Sequence, residues 1–376
     1  MRIRPFGVEQ WMNEYEDSCT YNLAETCVDS LTVAELLDLC QPDGPSLDDL
    51  LPLRLGYGAI EGSDRLRQAI AALYDTLDPS NVVVTHGAIG ANALVHQTLV
   101  SPGDRVISVQ PTYQQHYSIP ESFGADVQIL PLHKRNRFLP DLDELRGLAI
   151  PGTSLIAINN PNNPTGSLMD ADCLRDIAEV ASNCGAHVLC DEVYRGTDQV
   201  GSGTTISIAD LYDKGISTGS MSKAFSLAGL RLGWIAGPRH VLEAVSIHRD
   251  YNTISVGMID DLLATWALEH ADRLLTRSRT ITRTNLAILS DWVDGEGRLD
   301  WVKPRSGTTA FVEVDVSMSS RQFCERLLAD TGVMFTPGSA LDLEGYVRIG
   351  YANEESVLRA GLALTSDFLA ELPRHP

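Results

Sequence analysis

The chain is short of positive charge. It carries 29 Lys and Arg against 50 Asp and Glu, a formal net charge of −21. That balance argues against nucleic acid or an anionic membrane surface as the main partner, because both would be repelled. A small anion-binding pocket inside an acidic protein is still compatible with it. No apolar run is long enough to span a bilayer, and the N-terminus does not join a basic start to an apolar stretch of signal-peptide length, so a cytoplasmic protein without a membrane partner is expected. The seven cysteines, at 19, 27, 40, 173, 184, 190 and 324, are odd in number and form no Cys-x-x-Cys pair. This excludes an ordinary disulfide framework or zinc site and fits reduced, mostly buried thiols. Internal repeats and low-complexity tracts are absent, and no metal is expected.

What is present is ordinary globular chain: 376 residues, 44% hydrophobic and 21% charged, enough for a sizeable core and more than one domain. Residues 1–20 read as a short amphipathic helix or an arm packed on a neighbour. Thr32 with Glu35 forms a capping-box pattern opening a helix to Cys40, and the Pro/Gly/Asp-rich stretch 41–49 reads as a loop. From Val82 onward, short apolar strands alternate with helices: 82–85, 105–109, 126–130, 154–159, 187–190 and 214–218 are the expected strands. Such alternation indicates an α/β fold, a mainly parallel sheet sandwiched by helices. After about residue 240 the pattern changes to a long helical region, 239–293, broken near Asn252–Gly257. Strands at 309–315 and 346–351 follow, with helices at 319–330 and 354–371. The expected division is a large domain over 51–250, an interdomain helix and small α+β domain over 251–376, and an N-terminal segment, 1–50, that completes the small domain.

Four stretches carry chemistry. In Ser220-Met221-Ser222-Lys223, followed by Gly229-Leu230-Arg231-Leu232-Gly233, an amine suited to becoming a covalent handle on a carbonyl cofactor lies beside groups that hold an anion. Gly87-Ala88-Ile89 opens a helix directly after an apolar strand, where backbone amides and the helix dipole favour a phosphate. Asp191 sits at the carboxyl end of another apolar strand, the edge at which open α/β sheets bind ligands. Arg348 lies inside the apolar strand around Val347 and Ile349, so it needs an anion, either a ligand carboxylate or an acidic side chain.

The Lys-centred stretch resembles the Ser-x-Ser-Lys and Gly-x-Arg-x-Gly signature of the class I/II aminotransferase family, fold type I enzymes dependent on pyridoxal 5'-phosphate. Asn163-Pro164-Thr165-Gly166 and Pro111-Thr112-Tyr113 resemble further family motifs in the same order. The resemblance implies that Lys223 carries the cofactor's aldehyde as an imine and later takes the substrate's α-proton. It implies that Asp191 keeps the pyridine nitrogen protonated, and that Tyr194 and Asn163 contact the ring oxygen. The phosphate falls to Gly87, Ala88, Ile89, Ser220, Ser222 and Arg231. Tyr113 stacks on the ring or is a core tyrosine, Arg348 grips the substrate α-carboxylate, and Glu192 is structural. Tyr57 matches a tyrosine that reaches the neighbouring subunit's phosphate, implying a homodimer with shared sites.

Transamination of an L-amino acid is the commonest outcome in such a family. Residues 21–30 depart from its usual pattern, since Ala24-Glu25-Thr26-Cys27 contains no glycine. The segment is loosely similar to capreomycidine-synthase-like enzymes of specialised metabolism, which dehydrate and cyclise a hydroxylated arginine. The alternative expectation is therefore elimination, replacement or cyclisation, with Glu25 or Asp29 contacting a cationic side chain. A non-catalytic regulator on the same fold is a third reading, disfavoured because about fifty residues without a basic segment precede Tyr57.

Overall fold

The computed structural model describes residues 2–42 and 44–373. Its centre is a seven-stranded sheet of β1 (Val82–His86), β2 (Arg105–Gln110), β3 (Asp126–Pro131), β4 (Thr153–Asn159), β5 (His187–Asp191), β6 (Gly215–Ser220) and β7 (Leu232–Ala236). The spatial order is β1-β7-β6-β5-β4-β2-β3. All neighbours are parallel except at β7, which runs antiparallel to β1 and β6. Strand β7 is hidden in the sequence because its residues lie within the glycine-rich stretch after Lys223. The parallel strands are continuous apolar runs buried on both faces: Val106, Ile107, Leu155, Ile156, Val188 and Leu189 are all fully buried.

This topology gathers the candidate residues at one edge. Strands β2, β4, β5 and β6 end there, with Asp191 closing β5 and Ser220 closing β6. Because β7 is reversed, its beginning lies at that same edge, and His86 at the end of β1 pairs with Leu232. Arg231, one residue before β7, is thereby brought beside Gly87, which opens helix α2 (Gly87–Leu99). The approach is close. A Cβ on Gly87 would lie 3.2 Å from the Arg231 guanidinium, and one on Gly233 would lie 2.3 Å from the Gly87 carbonyl carbon. Gly87 also has φ +63°, which glycine adopts without a steric cost.

A second, antiparallel sheet contains β8 (Leu299–Trp301), β9 (Thr309–Val314), β10 (Thr336–Pro337) and β11 (Tyr346–Gly350) in the order β10-β11-β9-β8. Its apolar face packs with Leu23, Leu327, Leu358 and Phe368 in a core that draws on both ends of the chain. The expected long helical region is three helices, Arg239–Asp250, Met258–Glu269 and Ala271–Gly295. The last of these places Leu274 and Leu275 in one core and Leu286, Leu289 and Val293 in the other. The stretch 41–49 is not all loop, since Ser46 caps a four-residue helix, Leu47–Leu50, while position 43 lies outside the described residues. Thr32 and Glu35 form the expected reciprocal capping box.

The N-terminal segment is a helix, α1 (Gly7–Tyr15), packed on its own chain. Trp11 is fully buried and donates its indole N–H to the Phe335 carbonyl at 2.9 Å, and the Gly7 amide donates to Gln114 at 2.8 Å. Among the described residues no helix is long and apolar enough to cross a membrane, and no cluster of His, Cys, Asp and Glu could hold a metal. All seven cysteines are free, and five are buried.

Candidate active site

A cavity of about 340 Å³ opens at the edge where these strands end, lined by Lys223, Asp191, Arg348, Asn163, Tyr113 and Tyr194 among others. Ala88, Ile89, Ser220, Ser222, Arg231 and Glu25 line it as well. Gly87 is next to this lining, against Arg231, and two expected residues lie elsewhere. Tyr57 is 85% exposed and stands outside the cavity of its own chain. Asp29 is also outside: it pairs with Arg277 at 3.0 Å on the exposed surface, which corrects the expectation that it meets a substrate side chain.

Lys223 follows β6 and reaches toward residues 21–30. Its Nζ donates to Thr26 Oγ1 at 2.6 Å and to Cys27 Sγ at 3.4 Å, and it lies 3.9 Å from Glu25 Oε1. Burial pulls the ammonium pKa down, but the polar and acidic groups of Cys27, Tyr194 and Glu25 outweigh it and the net direction is up. Burial pushes the Cys27 thiol up to about 11, so it is neutral at physiological pH. Glu25 is held at about 2: burial raises its pKa, but the Lys223 charge and hydrogen bonds from Cys27 and Thr26 overcome this. The amide donors lie at 2.6 and 2.8 Å.

Asp191 is buried and held from several sides. Asn92 donates to its Oδ2 at 2.8 Å, the Val193 amide to its Oδ1 at 3.2 Å, and His116 Nε2 stands 3.7 Å away. Thr218 in turn fixes Asn92, donating to its side-chain oxygen at 2.7 Å. Sequence reading missed Asn92, in the middle of α2, and His116, in the first turn of the helix Gln115–Phe123, because no motif marks either position. Glu192 points the other way, accepting from Ser207, Ser217 and the Ile208 amide, as its expected structural role requires.

Arg348, in β11, is 2% exposed, and among the described residues none of its hydrogen bonds goes to a carboxylate. Its Nη atoms donate to the Ala24 carbonyl at 2.9 Å, Thr336 at 3.1 Å and Asn163 at 3.3 Å, while Nε is buried without a partner. Burial lowers its pKa, and Tyr194, Glu25 and Glu9 pull it back up. The open alternative of an internal ion pair is therefore not what this arginine makes. A guanidinium in this state has the chemistry to take an anion.

The phosphate end is equally unsatisfied. Among the described residues no side chain caps α2, and the guanidinium of Arg231 has only the Ala228 carbonyl as a hydrogen-bond partner. Ser220 and Ser222 complete the rim. These donors, with space that a Gly87 Cβ would fill, fit the phosphate of pyridoxal phosphate. Asp191 fits a protonated ring nitrogen, and Lys223 is the one lysine of the chain's four that lines the cavity. Lys134, Lys214 and Lys303 are held by Asp300, Gly185 and Ser290.

One wall carries residues that sequence reading did not assign. Val8, Glu9, Met12 and Glu16, on one face of α1 and its continuation, line the cavity, and Tyr113 donates to Glu9 at 2.8 Å. Their four-residue spacing at 8, 12 and 16 is a signal the sequence did contain.

A seven-stranded α/β sheet with a lysine, an aspartate and an unpaired arginine converging at its ligand-binding edge defines a cofactor-dependent enzyme of amino-acid chemistry. Comparison with known proteins agrees. Residues 50–362 match the family model for aminotransferase class I and II, and the chain belongs to that family. It is 33% identical over 365 residues to a capreomycidine synthase from Streptomyces vinaceus, covering 96% of this chain and 93% of that one. A PLP-dependent aminotransferase from Streptococcus suis 89-1591 superposes with a TM-score of 0.95 at 42% identity over the whole of both chains. A PLP-dependent cyclase superposes at 0.91 with 29% identity, covering 99% and 98%. The protein is an enzyme of this family and its cofactor is pyridoxal 5'-phosphate.

Proposed function

We propose that the enzyme acts on a free L-α-amino acid as an aminotransferase, with Lys223 as the acid–base group at the substrate Cα. The observation that carries this reading is the convergence of the Lys223 amine, the Asp191 carboxylate and the unpaired Arg348 fork on one cavity. The bound cofactor supplies an electron sink for the carbanion left at Cα. Arg348 binds the α-carboxylate bidentately and so fixes which bond at Cα faces Lys223. Lys223, once its amine is free, takes the α-proton and can return it one atom away; its charged form is stabilised by Glu25 at 3.9 Å. Asp191, oriented by Asn92 and the Val193 amide, would hold a proton on the ring nitrogen. Asn163 and Tyr194 would hold the ring oxygen, and Tyr113 would lie against the ring.

A second reading has its own support. Thr26 and Cys27 place a hydroxyl and a neutral thiol on Lys223 where a glycine would leave open backbone. Proton-carrying groups beside the amine suit loss of a β or γ leaving group followed by addition of an internal nucleophile, giving elimination or cyclisation. The relatives include both a synthase and a cyclase. A homodimer is also part of the proposal: Tyr57, Leu51, Leu55 and Tyr251 are 85%, 71%, 73% and 94% exposed. In a dimer Tyr57 would reach the partner's phosphate site. The test is to mix the holoenzyme with a panel of amino acids and follow absorption and product masses. A keto acid with aminated cofactor supports transamination. A dehydrated or cyclised product with cofactor regenerated supports the second reading, and no reaction with any amino acid removes both.

A further inference from the structure

The Lys223 amine meets three side chains of one short segment: Thr26 Oγ1 at 2.6 Å, Cys27 Sγ at 3.4 Å and Glu25 Oε1 at 3.9 Å. Their charges differ. Burial pushes the Cys27 thiol up to about 11 and raises the Tyr194 phenol, which also faces Lys223, so both are neutral at pH 7. Among the described residues, Glu25 is then the one ionised acid in ion-pair reach of the amine. Two further charges face Glu25 itself: Arg348, which it attracts, and Glu16, which it repels. The carboxylate is fixed in place. The Thr26 and Cys27 amides donate to its Oε1 at 2.6 and 2.8 Å. The segment around it is tied down as well: the Ala24 carbonyl accepts from Arg348 at 2.9 Å, the Thr26 carbonyl from Thr308 at 2.7 Å, and the Val28 amide donates to the Lys223 carbonyl at 3.4 Å.

We propose that Glu25 is a positioning residue for a proton: its carboxylate keeps the Lys223 nitrogen protonated after that nitrogen has joined the cofactor's aldehyde, so the amino acid enters as its free amine. This rests on the reading of Lys223 as the residue that carries the cofactor. Joining the aldehyde leaves the nitrogen either charged or neutral, and a fixed negative charge beside it favours the charged form. Thr26 and Cys27 are uncharged and cannot supply that bias. A protonated linkage is also the form that an incoming amine attacks more readily, so the same carboxylate favours exchange of Lys223 for the substrate. Glu25, expected from the sequence as a contact for a substrate side chain, has its Oε1 committed to two amides and to Lys223 instead.

The experiment records the absorption of the holoenzyme across pH with no amino acid present, since the protonated and neutral linkages absorb at different wavelengths. The midpoint of that change should fall by about one pH unit or more in Glu25→Gln, the scale of one partly screened charge at this distance. Glu25→Asp keeps the charge and draws it back, so its midpoint should lie between those of the wild type and Glu25→Gln. It carries the test alone if the melting temperature shows that Glu25→Gln does not fold, and it should then lie below the wild type. Asp29→Asn removes an equal charge outside the cavity, where Asp29 pairs with Arg277, and should leave the midpoint in place. An unmoved midpoint in the Glu25 variants, or an equal fall in Asp29→Asn, would overturn the proposal. A Lys223→Ala protein that keeps the same absorption band and the same pH response would instead overturn the reading of Lys223 beneath it.

Discussion

Replacing Arg348 by lysine keeps the charge and removes the fork. The guanidinium is positioned by Ala24, Thr336 and Asn163 at 2.9, 3.1 and 3.3 Å, leaving its Nε and remaining N–H groups for a ligand. A lysine could reach the same carboxylate as a point charge with a single strong contact. Losing one of two charge-assisted bonds costs roughly 1.5–3 kcal/mol, or about 10- to 150-fold in affinity. The assay is an absorption titration of the holoenzyme with arginine and with agmatine, which keeps the guanidinium but has no carboxylate. Arginine should weaken by that factor in Arg348→Lys, while agmatine should stay within about twofold of its wild-type affinity. An unchanged affinity for arginine would refute the carboxylate role. So would an equal loss for both ligands, which would mark Arg348 as a structural residue.

Other outcomes follow from the same geometry. Glu25→Gln removes a carboxylate held at about 2 from an ordinary 4.5, so the wild type's stability advantage is present above about pH 4.5 and is lost as pH falls toward 2. Partial exposure keeps that advantage below about 1 kcal/mol, and paired urea titrations at pH 7 and pH 3 read it. Trp11→Ala should cost about 3–5 kcal/mol in urea unfolding, if α1 is as firmly docked as the buried indole indicates. Tyr57→Phe should weaken cofactor retention by about tenfold, the loss of a hydrogen bond to a charged group, without changing folding of the subunit. Retention of cofactor at wild-type affinity would remove Tyr57 from the site.

Much of the site was legible because its residues sit where local rules apply. Gly87 follows an apolar strand and opens a helix, Asp191 ends a strand, and Arg348 is a charge inside an apolar run. Each of these anomalies is visible within a few residues. What stayed hidden depends on distant contacts. No local pattern tells that Arg277 takes Asp29, that Asn92 braces Asp191, or that Thr26 and Cys27 meet Lys223. Strand β7 escaped notice because Gly233 sits in it for close approach to Gly87, and glycine masks a strand's apolar pattern. The α1 wall was read as a helix or an arm, and only its packing through Trp11 turns it toward the cavity.

The central claim is that one amine, that of Lys223, carries the cofactor. Borohydride reduction of the holoenzyme, followed by proteolysis and peptide mass mapping, tests it directly, since the chain has only four lysines. The reduced cofactor's mass should appear on the peptide containing Lys223 and on no other. Its attachment to Lys134, Lys214 or Lys303, or its complete release after reduction, would contradict the assignment of the cavity.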